Sequence, residues 1–252
     1  MKLKDALLVS LFPRRCAFCG DMVAFDMERC PSCRAGLPVI EAPVCLHCGH
    51  SKADCTCKGK KLYYEAVVAP YYYTDSAARA LQNFKFGNMP FLAENMAADM
   101  AKCVKIFYCT QSFDLVTEVP VGKKRLRRRG YDQSALLARE LARQLNVPYC
   151  TLLRKVVNNK EQHRQKAADR RANVYGAYKT VRRADLRGKR ILLVDDVKTT
   201  GATLDECAKM LLLADAASVS AAVFAITKIT PRKAAEASME SDSLRVKKQP
   251  QS

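Results

Sequence analysis

Two adjacent aspartates at the end of an apolar run, followed by a loop of small and hydroxylated residues, are the part of this chain best suited to chemistry. They stand in ILLVDDVKTTGAT, residues Ile191 to Thr203. The run Ile191–Val194 reads as a strand that delivers Asp195 and Asp196 to the carboxyl edge of a sheet, the crevice where open α/β folds bind ligands. The loop Lys198–Thr203 then enters a helix. The first N–H groups of a helix lack intrahelical partners and carry partial positive charge, so a phosphate fits there. Gly201 and Ala202 allow close backbone approach, and Thr199, Thr200 and Thr203 supply hydroxyl donors. The aspartates repel the same phosphate; they suit neighbouring sugar hydroxyls, or a magnesium ion and its waters. The stretch therefore reads as a grip for a phosphorylated sugar. A strand and helix joined by a capped polar turn is the bland alternative, but it does not explain why the acidic pair and the T-T-G-x-T loop occur together.

A second constellation lies in the first 57 residues, which hold eight of the chain's twelve cysteines. The pairs are Cys16 with Cys19, Cys30 with Cys33, Cys45 with Cys48, and Cys55 with Cys57. A Cys-x-x-Cys turn points two thiolates at one ion, and two such turns complete the tetrahedral four-sulfur set of a structural zinc site. A glycine follows the second cysteine in CAFCG and CLHCG and permits the sharp bend. Disulfides would need an oxidising compartment, and a thioredoxin-like motif would need a βαβ turn; neither context is present. Zinc is the reading, in one or two sites, with sequential pairing expected over interleaved pairing. The single-residue spacing of Cys55 and Cys57 is tighter than usual. His47 and His50 lie near enough to substitute as ligands but are expected to be bystanders. The metal's role is structural, because the segment has too few large apolar residues to fold on a core alone. Cys103, Cys109, Cys150 and Cys207 read as buried free thiols.

Basic residues outnumber acidic ones 43 to 25, a formal charge of +18, which favours a polyanionic partner. The segment KKRLRRRG places six basic residues in positions 123–130. It follows a strand end and reads as a loop near the phosphate site. Three readings are open for it: pyrophosphate binding, contact with a nucleic-acid backbone, or a solvated surface. A second cluster, Lys160 to Arg171, fits either of the first two. Tyr71, Tyr72, Tyr73, Phe84 and Phe86 offer stacking to single strands, although their patterns favour the core.

These groups require elements to hold them. Strand patterns at EAVVAPYYY, FDLVTEVPV, RILLVDDV and SVSAAVFAIT alternate with helical ones at DSAARALQNFKF, FLAENMAADMAKCVKIF, SALLARELARQL and TLDECAKMLLLA. Asp75 or Thr74 is a plausible cap for the first of these helices. Leu137, Leu141 and Leu145 repeat every four residues along one face. Alternating strands and helices imply a parallel α/β sheet covered on both faces. The expected division is a cysteine-rich zinc-ribbon domain at 1–62, an α/β domain at 63–228, and a disordered basic tail at 229–252, too poor in apolar residues to offset ordering entropy. No apolar run approaches the roughly 20 residues that span a bilayer. MKLKDALLVSLFPRRC has a short apolar core with Asp5 inside it and no small-residue cleavage site, so it reads as an amphipathic helix of a cytoplasmic protein, not a signal peptide.

VDDVKTTGAT resembles the 5-phosphoribosyl 1-pyrophosphate (PRPP) signature of type I phosphoribosyltransferases. With the cysteine pairs ahead of it, the chain to about residue 228 resembles the ComF family, which joins a double zinc ribbon to a phosphoribosyltransferase-like domain. KRLRRRGYDQS is similar to the family's basic segment through Arg127, Arg129, Gly130, Tyr131, Asp132 and Gln133. EQHRQKAADRRANVYGAY matches a further stretch through Gln162, Arg170, Asn173, Gly176 and Tyr178, and LQNFKFGN another through Lys85, Phe86 and Gly87. One departure is TEVPVG in place of the usual PVPL: Glu118 falls near the expected pyrophosphate position and would repel it unless magnesium intervenes or the side chain turns away.

The resemblance implies PRPP with magnesium as ligand. Asp195 and Asp196 would hold the 2′- and 3′-hydroxyls and act as the catalytic pair, and Thr199, Thr200, Gly201, Ala202 and Thr203 would hold the 5′-phosphate. Lys85, Arg127, Arg129, Gln133, Gln162 and Arg170 are the candidates for pyrophosphate or nucleic-acid contact. Two functions follow. One is a PRPP-binding protein of natural competence, acting in the cytoplasm on incoming single-stranded DNA beside a competence helicase. The other is a phosphoribosyltransferase acting on a nitrogenous acceptor and unrelated to DNA, in which catalysis would be mostly positioning and electrostatics. No residue pattern identifies an acceptor base.

Overall fold

The computed structural model describes residues 15–16, 18–24, 27–57, 59, 61–156, 176–181 and 185–228. The expected N-terminal helix, the cluster from Lys160 to Arg171 that includes Gln162 and Arg170, the matched Asn173, and the tail at 229–252 lie outside the described residues.

The elements in chain order are α1 (Pro31–Ala35), β1 (Val67–Val68), β2 (Tyr71–Tyr72), α2 (Asp75–Phe86), α3 (Leu92–Phe107), β3 (Leu115–Glu118), α4 (Lys123–Arg129), α5 (Gln133–Leu145), β4 (Leu153–Lys155), β5 (Tyr178–Thr180), β6 (Arg190–Lys198), α6 (Ala202–Leu212) and β7 (Ser218–Ile226). The main sheet has the order β1–β7–β6–β3, with β2 also paired to β7, and every pairing is parallel. A parallel sheet buries both faces, and β7, in its interior, is accordingly buried from Val219 to Ile226. Alternation along β6 sends Leu192 and Val194 to one side, where they pack with residues of α2, α3 and α5, and Ile191 and Leu193 to the other, against Leu204, Cys207 and Leu211 of α6.

Some elements differ from the sequence reading. EAVVAPYYY forms two short strands rather than one, and Pro70, which has no N–H to donate, sits between them. FDLVTEVPV is strand only over Leu115–Glu118. β6 continues past Val194 to Lys198, because β7 pairs with it as far as Ile226. The basic segment is a helix, α4, not a loop. Gly130 closes it at φ 78°, the left-handed conformation that favours glycine at a helix C-terminus. The antiparallel pair β4–β5 has no counterpart in the sequence reading, since three-residue strands are too short to show alternation. Of the four outlying cysteines Cys103 and Cys207 are buried as expected, but Cys150 is half-buried and Cys109 is exposed, lying in the turn after α3.

Candidate functional site

Asp195 and Asp196 lie beyond the last β3–β6 pair, Glu118 with Val194, so they stand at the carboxyl edge on that side while β7 still supports them on the other. Four residues past Val197, Gly201 takes φ +81° and serves as N-cap of α6. A Cβ there would lie 3.0 Å from the Tyr64 hydroxyl and 3.1 Å from Lys198 Cε, so both conformation and space call for glycine. The loop bounds a cleft of about 20 Å³ with Asp195, Thr199, Gly201 and Thr203 on its walls. Thr200 Oγ1 accepts the Ala202 N–H at 3.3 Å, which spends one first-turn donor of α6 inside the loop.

Segments far apart in sequence converge on the two carboxylates. Lys85, at the end of α2, places its Nζ 2.9 Å from Asp196 Oδ2. Ser134, in the first turn of α5, donates its hydroxyl to Asp195 Oδ1 at 2.9 Å, and the same oxygen accepts the Asp196 N–H at 2.8 Å. Burial, with the Asp196 charge adding to it, pushes the Asp195 carboxyl up to about 7. Arg129, in the last turn of α4, is near enough to Asp196 for their charges to interact. Arg129 donates to Gln133 Oε1 at 2.8 Å, and its guanidinium lies 5.1 Å from the Phe86 ring centre. Gln133 is fully covered, and both its Nε2 and the Arg129 Nε lack a hydrogen-bond partner among the described residues. Arg127, in contrast, is exposed. Among the aromatics considered for stacking, Tyr71, Tyr72 and Phe84 are core residues and Tyr73 is half-buried; Phe86, 64% exposed, is the one open to solvent.

Glu118 does reach this sheet edge, yet only 3% of it is exposed. Burial raises its pKa, which favours the neutral form, and its Oε2 has no partner among the described residues. A withdrawn carboxyl of this kind weakens the repulsion expected toward pyrophosphate. Ser134 and Lys198 are site residues that the sequence reading passed over or treated only as the loop's start; Ser134 adjoins the matched Gln133, and that adjacency was its one signal.

The eight paired cysteines form two clusters, Cys16, Cys19, Cys30 and Cys33, and Cys45, Cys48, Cys55 and Cys57, with the sulfurs of each within 4.8 Å of one another. Pairing is therefore sequential. Tetrahedral zinc with bonds of about 2.3 Å sets its sulfurs about 3.8 Å apart. The separations are 3.7 Å for Cys19 and Cys30, 3.8 Å for Cys45 and Cys57, and 3.6 Å for Cys48 and Cys55, close to that figure, so both donor sets fit the ion; the tightly spaced Cys55 and Cys57 lie closer together, at 3.4 Å. The Ser32 hydroxyl, then the Cys33 amide, pull the Cys30 thiol down to about 6, whereas burial pushes the Cys19 and Cys33 thiols up. Neither His47 nor His50 belongs to a cluster, as expected; His50 Nε2 instead meets the Thr227 carbonyl oxygen at 3.2 Å.

Residues 7–66 match the double zinc ribbon domain family, and residues 132–249 match the phosphoribosyl transferase domain family. Competence protein ComFC of Bacillus subtilis is 30% identical over 206 residues, covering 77% of this chain and 82% of that protein. The chain belongs to the ComF family. Competence protein F of Haemophilus influenzae is 28% identical over 215 residues, 81% of this chain and 93% of that protein. DNA utilization protein YhgH of Escherichia coli K12 is 27% identical over 81% of this chain and 86% of that protein. Adenine phosphoribosyltransferase aligns with TM-score 0.38 at 15% identity, over 63% of this chain and 79% of that one. The ComF architecture of a double zinc ribbon ahead of a phosphoribosyltransferase-type sheet accounts for both constellations. No helix among the described residues is long and apolar enough to cross a membrane.

Proposed function

We propose that this ComF-family protein binds PRPP with magnesium at the carboxyl end of β6 and uses that grip in handling DNA during competence. The observation that carries the reading is the pair Asp195 and Asp196 at the strand end, with the left-handed Gly201 opening α6 just beyond them. Asp195 and Asp196 hold the ribose diol, and the Thr199–Thr203 loop with the first N–H groups of α6 holds the 5′-phosphate. Magnesium supplies positive charge for the pyrophosphate.

In this reading the basic segment has two tasks. Arg129 and Gln133, with Lys85, lie beside the aspartates and suit pyrophosphate; the unpartnered Arg129 Nε and Gln133 Nε2 are donors a ligand oxygen would satisfy. Lys123, Arg125 and Arg127 are exposed and suit a nucleic-acid backbone, and the exposed Phe86 ring lies against Arg128 and Arg129 of the same helix. The relatives' names, competence protein and DNA utilization protein, support the DNA part of the reading. An incoming single strand in the cytoplasm, with a helicase as partner, is the setting that part implies. Gln162 and Arg170 remain candidates for either anion.

Titration calorimetry with PRPP and magnesium tests the grip. Wild type is expected to bind. Asp195→Asn and Asp196→Asn each remove a charged hydrogen-bond acceptor worth about 1.5–3 kcal/mol, a weakening of roughly tenfold or more. No heat of binding in the wild type removes the reading.

A further inference from the structure

The residues next to the second cysteine cluster pack around the phosphate loop and its supports. Two residues past Cys48, His50 is buried, and its Nε2 meets the Thr227 carbonyl oxygen at 3.2 Å. Thr227 donates its own N–H to the Lys198 carbonyl at 2.9 Å. Gly49 sits so close to Ile226, the register partner of Lys198, that a Cβ would fall 2.3 Å from Ile226 Cδ1. The chain leaving Cys57 grips the loop from the other side. Tyr63 donates its N–H to Asp205 Oδ1 at 2.6 Å, and the Tyr64 hydroxyl stands 3.0 Å from where a Cβ on Gly201 would be. Residues that the cluster must fold therefore flank the loop at both ends.

Lys198 is the charged link in this contact. Only 6% of it is exposed, and it has no ion pair among the described residues. Burial lowers its pKa, and the charges that oppose this and favour its ammonium are the sulfurs of Cys48, Cys57 and Cys45. A buried ammonium is costly without a counter-charge nearby. Zinc held by four thiolates keeps a net negative charge and can serve as that counter-charge.

We propose that Lys198 is a positioning residue through which the second metal–thiolate site and the phosphate loop stabilise each other. Its ammonium answers the charge of the loaded site, and its carbonyl, held by Thr227, fixes the start of the loop. This rests on the loop's reading as the 5′-phosphate grip. Coupling is reciprocal: if metal at the second site favours the phosphate-binding form of the loop, a phosphate ligand slows loss of that metal.

The zinc-loaded full chain, mixed with a chromogenic chelator, reads this coupling as phases of zinc release with and without saturating ribose 5-phosphate. One phase is expected to slow about tenfold with ligand while the other does not move. In Lys198→Met that phase is fast with or without ligand, and Lys198→Arg restores the wild-type behaviour. Should Lys198→Met fail to fold, Lys198→Gln reads the same loss of charge in its place, and a ligand-slowed phase that survives in it overturns the role of Lys198. Calorimetry with the same ligand separates the two ideas. Binding to the wild type with every release phase unmoved overturns the coupling and leaves the grip intact. If nothing binds, the grip falls, and the Lys198 link stands or falls on whether Lys198→Met weakens zinc affinity at one site.

Discussion

Asp195 sits in a place that costs the folded protein stability. Its folded-state pKa, about 7, lies above the ordinary aspartate value of 3.8, so the fold retains a proton that the unfolded chain gives up. Stability contributed by that proton is present at low pH and is lost as pH rises between about 4 and 7. Asp195→Asn removes the cost of ionisation, and thermal unfolding should show a larger gain in Tm at pH 8 than at pH 5, even as ligand binding weakens. An equal gain at both pH values would contradict the burial assigned to this carboxyl. Gly201 is the opposite case, a residue tuned to its place. Gly201→Ala forces a Cβ onto φ +81° and into Tyr64 and Lys198, at about 1–2 kcal/mol for the conformation alone. A lowered Tm together with weaker PRPP binding by calorimetry is the expected result.

Among the elements, α4 departs most from its sequence reading. KKRLRRR has no apolar stripe to mark a helix, and no residue of α4 is buried. Its residues are nonetheless good intrinsic helix formers, and the closing left-handed Gly130 and the stacking of Arg128 and Arg129 over Phe86 hold it in place. A helix presents its cations in a fixed array, which a solvated loop does not. Lys123→Gln, Arg125→Gln and Arg127→Gln together keep helix propensity and remove exposed charge. If α4 lies on a single strand, the slope of log affinity against log salt should become shallower by roughly 2, at about 0.7 per phosphate contact. An unchanged slope would strike α4 from the DNA reading.

Across the whole molecule, the ribbons are built into the fold. Phe18 of the first ribbon is fully buried, with ring centres 5.7 Å from Tyr71 and 5.9 Å from Phe224 of the sheet. Asn83 of α2 donates to the Cys19 carbonyl at 3.1 Å, two residues before Lys85, which pairs with Asp196. The second ribbon meets Thr227 through His50. Stripping zinc with a strong chelator should therefore loosen more than residues 15–62. Hydrogen exchange is expected to quicken in the last turn of α2 and at the end of β7 along with the ribbons. Faster exchange confined to the ribbons would show that the sheet holds its site without them.

How much was legible in the sequence follows from the range of the interactions involved. The strand before Asp195, the glycine-bearing turn into α6 and the Cys-x-x-Cys pairs depend on neighbours a few residues away, so period and spacing disclose them. The alternation that covers both faces of β6 is local in the same sense. The surroundings of the carboxylates are not. Lys85 reaches Asp196 from α2, and Ser134 reaches Asp195 across 61 residues of chain. Glu118 reads as an obstacle to an anion in the sequence but is buried in the fold, and Gln133, a candidate anion contact in the sequence, is fully buried with Arg129 of α4 donating to it. Burial and charge pairing are properties of segments brought together by the sheet, and they set the protonation of Asp195 and the counter-charge of Lys198. The sequence by itself determined which chemical groups the site has and the zinc ligands' pairs; only the tertiary structure decided which of those groups meet, because that depends on how distant strands and helices stack about one core.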